Sequence, residues 1–343
     1  MAGKRLTFTI NAAVAIIAVT LLIPLAASGG IDAPGVRQAD TDIRQADTGV
    51  VTVAASFYHL AHFAQQVGDG GIKVTNITPN GVEPHEFEPT PKDVRGIYKS
   101  RVFVFNGAGI DAWAEKLSRE LAKSGVITLN VSSNITMRTT GQKNDYTDSR
   151  TVNHNESHKM AQDSTPNKTF DPHFWLDPVL AQKEVEAIRD VLVRASPQKA
   201  ALFYKNAASY VEKLKALDEK YREGLKNCRL RDIVVTHSAF SYLAARYGFK
   251  TIPLTGISPV EDPSARKLGE ISGLVKNKNI KYIFFETLVS PRLAKTIATE
   301  TGASTLPLNP IEGLTQEDVK KGSDYISLMD DNLKNLRVAL SCQ

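Results

Sequence analysis

A chain of 343 residues exceeds one ordinary hydrophobic core and implies two domains. Its 42% hydrophobic and 23% charged residues are those of a globular protein. The formal charge of +5 falls to +3 once Lys4 and Arg5 are set aside, and no Lys/Arg stripe interleaved with aromatics is present, which argues against a nucleic-acid partner.

The first segment differs from the rest. Lys4 and Arg5 precede an apolar, uncharged run from Leu6 to Ala27, close to the ~20 residues that span a bilayer. Residues 1–30 therefore read as an uncleaved membrane anchor, or as a signal peptide if the chain is cut at LAAS/G. With the positive charges ahead of the run, residue 30 onward is expected outside the membrane. No cysteine closes the run, which excludes attachment there through a lipidated cysteine. Residues 31–49 contain RQADT twice, at 37–41 and 44–48, and read as a polar tether.

From residue 50 to 196 the pattern predicts an α/β lobe. VVTVAAS (50–56), IKVTNIT (72–78), RVFVFNG (101–107) and VITLNVS (126–132) read as strands. FYHLAHFAQQV (57–67), PKDVRGIYK (91–99) and DAWAEKLSRELAK (111–123) read as helices. Residues 133–169 are polar and aperiodic, carry His154 and His158, and read as a mobile surface loop. Residues 197–227, opened by Pro197, show one apolar stripe through Leu202, Ala207, Tyr210, Leu214, Leu217 and Tyr221 and predict a single long linking helix. Residues 228–343 form a second lobe in the same grammar: DIVVTHS (232–238), KTIPLTG (250–256), KYIFFET (281–287) and STLPLN (304–309) alternate with SYLAARYG, SARKLGEISGLVKNK and PRLAKTIATETG. Strands alternating with helices imply parallel sheets covered on both faces. The expected fold class is thus α/β, two lobes each with a roughly four-stranded parallel sheet flanked by helices, joined by one long rigid helix.

The chain has only two cysteines, Cys228 and Cys342. Their spacing alone leaves a bridge and two free thiols equally open; export favours the bridge, which would pin the C-terminus to the domain.

Seven histidines are few enough for their positions to discriminate. His173 lies in FDPHFWLDP, where Pro172 and Pro178 fix φ and hold Asp171 and Asp177 extended, so that a rigid loop presents the imidazole. His237 ends the strand VVTHS, and His85 lies in NGVEPHEFEPTP after the strand IKVTNIT. Glu286 and Asn309 also end strands of the second lobe. In open α/β sheets, ligands bind beyond the carboxyl ends of the strands, so these residues can converge between the lobes. A histidine in such a place more often satisfies a local hydrogen bond than binds a metal, and His59 and His62, on the first helix, read as packing or surface residues.

TPNGVEPHEFEPTPKD, FDPHFWLDP, VVTHSAFSYLAARYG and LPLNPIEGLT…DYISLMDDNLKNL resemble, in order and spacing, the zinc/manganese solute-binding proteins of ABC transporters. The resemblance runs from about residue 50 to the C-terminus. It implies two α/β lobes bridged by one long helix, with His85, His173 and His237 as metal ligands. It also implies an extracytoplasmic receptor, a monomer, that captures Zn²⁺ and delivers it to a permease and its ATPase, without catalysis. The family usually carries Asp where Asn309 stands, so the fourth ligand is open between Asn309, Glu286 and water. Three imidazoles favour Zn²⁺, while Mn²⁺ or Fe²⁺ would ask for more oxygen donors. His154 and His158 look like a much reduced form of the histidine-rich loop of zinc receptors, and read as solvated and idle.

Two other classes compete with transport. A zinc hydrolase can be built on three histidines and an open fourth position, but neither HExxH nor a cysteine-based zinc signature is present. A metal-dependent adhesin on the same scaffold would show the same residues.

Overall fold

The computed structural model describes residues 49–139 and 169–343. The apolar N-terminal run, the RQADT tether, His154, His158 and most of the expected loop at 133–169 lie outside the described residues. Among the described residues no helix is long and apolar enough to cross a membrane.

The first lobe carries β1 (Val51–Ala55), α1 (Tyr58–Gly68), β2 (Ile72–Asn76), α2 (Pro91–Tyr98), β3 (Val102–Phe105), α3 (Ala112–Lys123) and β4 (Ile127–Asn130). Its sheet is parallel, in the order β2-β1-β3-β4. The strands sit where β-branched and aromatic side chains run together, and all four residues of β3 are buried. The near edge of the expected 133–169 loop is ordered: Val131–Asn134 forms a 3₁₀ turn, and Thr139 bridges Phe170.

After the His173 loop come α4 (Pro178–Ala195) and α5 (Ala200–Lys226). Asp177 caps α4 by accepting from the Val179 N–H, and Pro178 fits its first turn. One 3₁₀ turn, Pro197–Lys199, precedes α5. The 27 residues of α5 span about 40 Å. Its buried stripe is Phe203, Ala207, Tyr210, Leu214, Leu217, Tyr221 and Leu225; Phe203, rather than the half-buried Leu202, begins it.

The second lobe repeats the first with β5 (Asp232–Val235), α6 (Ser241–Tyr247), β6 (Lys250–Pro253), α7 (Ala265–Asn277), β7 (Tyr282–Phe285), α8 (Arg292–Thr301) and β8 (Ser304–Pro307), and closes with α9 (Gln316–Lys321) and α10 (Tyr325–Ala339). The parallel order β6-β5-β7-β8 copies that of the first sheet. The strand direction of travel reverses between β1 and β3 and again between β5 and β7, leaving a crevice at the carboxyl end of each sheet.

One buried apolar cluster runs from the first sheet through α4 and α5 to the second sheet and α10. Each fully buried leucine of that cluster, such as Leu214, contributes about 1.5–3 kcal/mol. A core continuous between the lobes, with a 27-residue helix through it, holds them firmly against each other. Cys228 and Cys342 form a disulfide where the chain after α5 pairs with the chain after α10.

Candidate metal centre

The three histidines expected as ligands arrive from separate places. His85 sits in a 3₁₀ turn, Pro84–Glu86, on the loop after β2. His173 ends the Asp171–Pro172 stretch between the lobes, and His237 follows β5. Their Nε2 atoms meet: His173 lies 3.2 Å from His85 and 3.2 Å from His237. Glu312 adds Oε1 at 3.2 Å from His173 Nε2 and 3.5 Å from the other two. All four atoms lie within 4.8 Å of one another; His173, His237 and Glu312 are buried, and His85 nearly so. Four ligands about 2.0–2.1 Å from a zinc ion at tetrahedral angles stand about 3.3–3.4 Å apart, close to the 3.2–3.5 Å of the five separations just given.

The outer hydrogen bonds decide which way the lone pairs point. Asp171 Oδ1 accepts from His173 Nδ1 at 2.8 Å and from the His173 backbone N–H at 3.0 Å. Glu286 Oε1 accepts from His237 Nδ1 at 2.7 Å and from its backbone N–H at 3.2 Å. In the neutral tautomers that these carboxylates select, both Nε2 atoms present lone pairs to the same point. Glu312 Oε1, at the centre of the three rings, is buried without a well-aligned donor. Lone pairs and a carboxylate oxygen aimed at one buried point suit a cation.

Burial lowers the proton affinity of all three histidines, but only at His85 does it win. At His173, Asp171 and Glu312 outweigh burial and hold the ring above its ordinary pKa. At His237, Glu286 and Glu312 do so strongly. Burial would raise the Glu312 carboxyl, yet the His173, His237 and His85 rings hold it well below the usual range. Without metal, the centre therefore stores protons beside an ionised carboxylate.

The loop bearing His173 is tied to its surroundings on both sides. Asn106, just past β3, donates to the Pro172 carbonyl at 3.1 Å. From α6 of the second lobe, Ser241 donates to Asp171 Oδ2, Tyr242 to the Asp171 carbonyl at 2.9 Å, and Arg246 pairs with Asp177. Trp175 is fully buried and donates Nε1–H to the Pro310 carbonyl at 2.8 Å.

The two residues considered for the fourth position have other work. Glu286 grips the far nitrogen of His237 and does not join the group of four. Asn309 Oδ1 accepts from the Ile311 N–H at 2.8 Å, which engages its amide oxygen within its own loop. The carboxylate comes three residues later, from Glu312. Ile311 adopts a left-handed φ of 57°, which turns the chain so that Glu312 faces the imidazoles. The signal in the sequence is the acid of LNPIEG itself, three residues past Asn309.

His59 and His62 lie outside the centre. His59 is buried, stacked on Trp175 with ring centroids 4.4 Å apart, and its Nε2 lies 3.2 Å from Glu184 Oε2. Burial drives His59 well down and Glu184 well up, which favours the neutral form of each. His62 is half-buried and shares a hydrogen bond of 2.9 Å with the Tyr210 hydroxyl.

Sequence comparison matches residues 53–339 to the family described as zinc-uptake complex component A, periplasmic (ZnuA). The chain belongs to this family. Among its relatives, the high-affinity zinc uptake system protein ZnuA of Bacillus subtilis is 35% identical over 288 residues, 84% of this chain and 87% of that protein. The zinc-binding lipoprotein AdcA of Streptococcus pneumoniae is 40% identical over 296 residues, 86% of this chain. The match spans only 56% of AdcA's own length. The solved structure of the Zn(II)-bound ZnuA-like domain of that AdcA superposes with a TM-score of 0.70 at 38% identity, covering 85% of this chain and 99% of the domain. The fold of this family, with two four-stranded parallel sheets, is thus the architecture in which the four side chains meet.

Proposed function

We propose that this chain is an extracytoplasmic receptor that captures Zn²⁺ between its lobes and delivers it to an ABC permease and its ATPase. The observation that carries the reading is the meeting of His85, His173, His237 and Glu312 at near-tetrahedral spacing, with the outer nitrogens of His173 and His237 bound to carboxylates. Three imidazoles and one carboxylate favour Zn²⁺ over Mn²⁺ or Fe²⁺, which prefer more oxygen donors. Zinc-binding relatives in the same family support the same cargo.

A hydrolase would keep one coordination position for water, whereas Glu312 stands where it would take the fourth, so binding without turnover fits better. The apolar run before residue 28 would hold the receptor at the outer face of the membrane, or be removed to release it. Release of zinc requires only a small shift of the second lobe that draws His237 from His173, since the shared core and α5 oppose a wide hinge motion.

The test is the zinc content and competition affinity of the purified chain and its His237→Ala variant. One zinc per chain, with most affinity lost in a variant that still folds, supports the reading. Unchanged affinity in His237→Ala sinks it.

A further inference from the structure

The loop that brings Glu312 to the imidazoles is built on an unfavourable backbone. Ile311 is β-branched yet holds φ at 57°, a region that such residues rarely visit. A strained conformation persists only where its surroundings over-determine it. Here the restraints come from α10 and from Trp175. The side chain of Asn332, on α10 and only 2% exposed, takes both main-chain groups of Asn309: Oδ1 accepts from the Asn309 N–H at 2.8 Å, and Nδ2 donates to the Asn309 carbonyl at 2.7 Å. One turn further along α10, Asn335 donates to the Pro307 carbonyl at 2.9 Å. Trp175 holds the Pro310 carbonyl, and Tyr325, at the start of α10, donates to the carbonyl of Trp175. Asn309 closes the turn by accepting from Ile311.

We propose that Asn332 is a positioning residue for the metal centre: by clamping both peptide groups of Asn309 it fixes the strained turn at Ile311 and so aims the Glu312 carboxylate at the three imidazoles. The inference rests on the zinc-receptor reading above. The side-chain hydrogen bonds of Asn332 go to Asn309 and not to the histidines of the centre. Its effect on zinc should therefore pass through Glu312 alone, and this separates a positioning role from a general contribution to folding. Two buried peptide groups satisfied by one side chain would by themselves predict lost stability, but no change in the ligands around the metal.

The experiment is a double-mutant cycle on the full chain, with zinc affinity from competition titration and the visible spectrum of the cobalt(II)-loaded protein as readouts. Asn332→Leu is expected to weaken zinc binding roughly 10–100-fold, the usual effect of losing a partner outside the ligand shell. Its cobalt spectrum should move toward that of Glu312→Gln. In the Glu312→Gln background, Asn332→Leu should cost less than about threefold, because the group it positions is already impaired. The same affinity loss in both backgrounds, or a lowered melting temperature with unchanged affinity and cobalt spectrum, would overturn the proposal. Asn332→Asp keeps the acceptor for the Asn309 N–H but sets an oxygen, in place of the donor, against the Asn309 carbonyl, and takes the place of Asn332→Leu in the cycle if the leucine variant does not fold. A wild-type chain that takes up no zinc would remove the zinc-receptor reading itself, an outcome distinct from additive losses in a protein that does.

Discussion

His173 and His237 face each other Nε2 to Nε2 at 3.2 Å, while the Nδ1 of each is held by its own carboxylate, Asp171 or Glu286. Once both rings have given up a proton, their Nε2 lone pairs face one point and neither offers a proton to the other, so an ion there turns a repulsion into two bonds. This pair links the two lobes: one ring stands on a proline-stiffened loop, and the other at the end of β5.

The outer carboxylates should matter nearly as much as the ligands. Asp171→Asn and Glu286→Gln keep the size of each side chain but remove its charge. Each is expected to lower zinc affinity by roughly 10–100-fold while leaving the fold intact, as measured by competition with a chelating dye. Affinities unchanged in both variants would show that ring orientation is set elsewhere.

Zinc binding should release protons. Carboxylate neighbours raise His173 and His237 above the ordinary histidine pKa, so their rings remain protonated in the metal-free protein as pH climbs past 6.5. Zinc needs the lone pairs, and affinity should rise about tenfold per pH unit for each proton displaced, levelling above the folded pKa of His237. The sign is opposite for the empty fold: stability from these raised pKa values is present below about 6.5 and is lost as pH rises through the folded values. Calorimetric titration in buffers of different ionisation enthalpy counts the protons; none released at pH 7 would contradict the scheme.

Behind the centre, the neutrality of the His59–Glu184 pair makes its own prediction. A protonated Glu184 carboxyl and a glutamine amide both offer one acceptor and a donor, and neither is charged. Glu184→Gln should therefore change unfolding free energy by no more than about 1 kcal/mol in denaturant titration. A loss of several kcal/mol would mean that an ionised pair had been broken.

Much of this was legible in the residues. Runs such as VFVF and YIFF ended as strands within a residue or two of the expected limits, because a sheet covered on both faces leaves an unbroken apolar signal. The stripe on α5 was equally plain, save that Phe203 begins it. His85, His173 and His237 stood out because each lies just past a strand or between two prolines, where a parallel sheet presents its ligands. Glu312 was not found, because its position depends on a left-handed turn at an isoleucine, which no local preference announces. From the sequence, Asp171 is only a residue held extended before Pro172. Its Asx turn onto the His173 N–H puts its carboxylate where it also takes the ring proton, a pattern that the spacing of Asp and His two residues apart allows.

One zinc ion is expected among the three imidazoles and the Glu312 carboxylate. Zinc-edge X-ray absorption of the loaded chain, beside Glu312→Gln, tests it most directly. Four light-atom ligands at about 2.0–2.1 Å with the multiple scattering of three imidazoles are expected, and a changed set of nearest neighbours in the variant. A six-coordinate, oxygen-rich shell, or a spectrum untouched by the loss of Glu312, would contradict it.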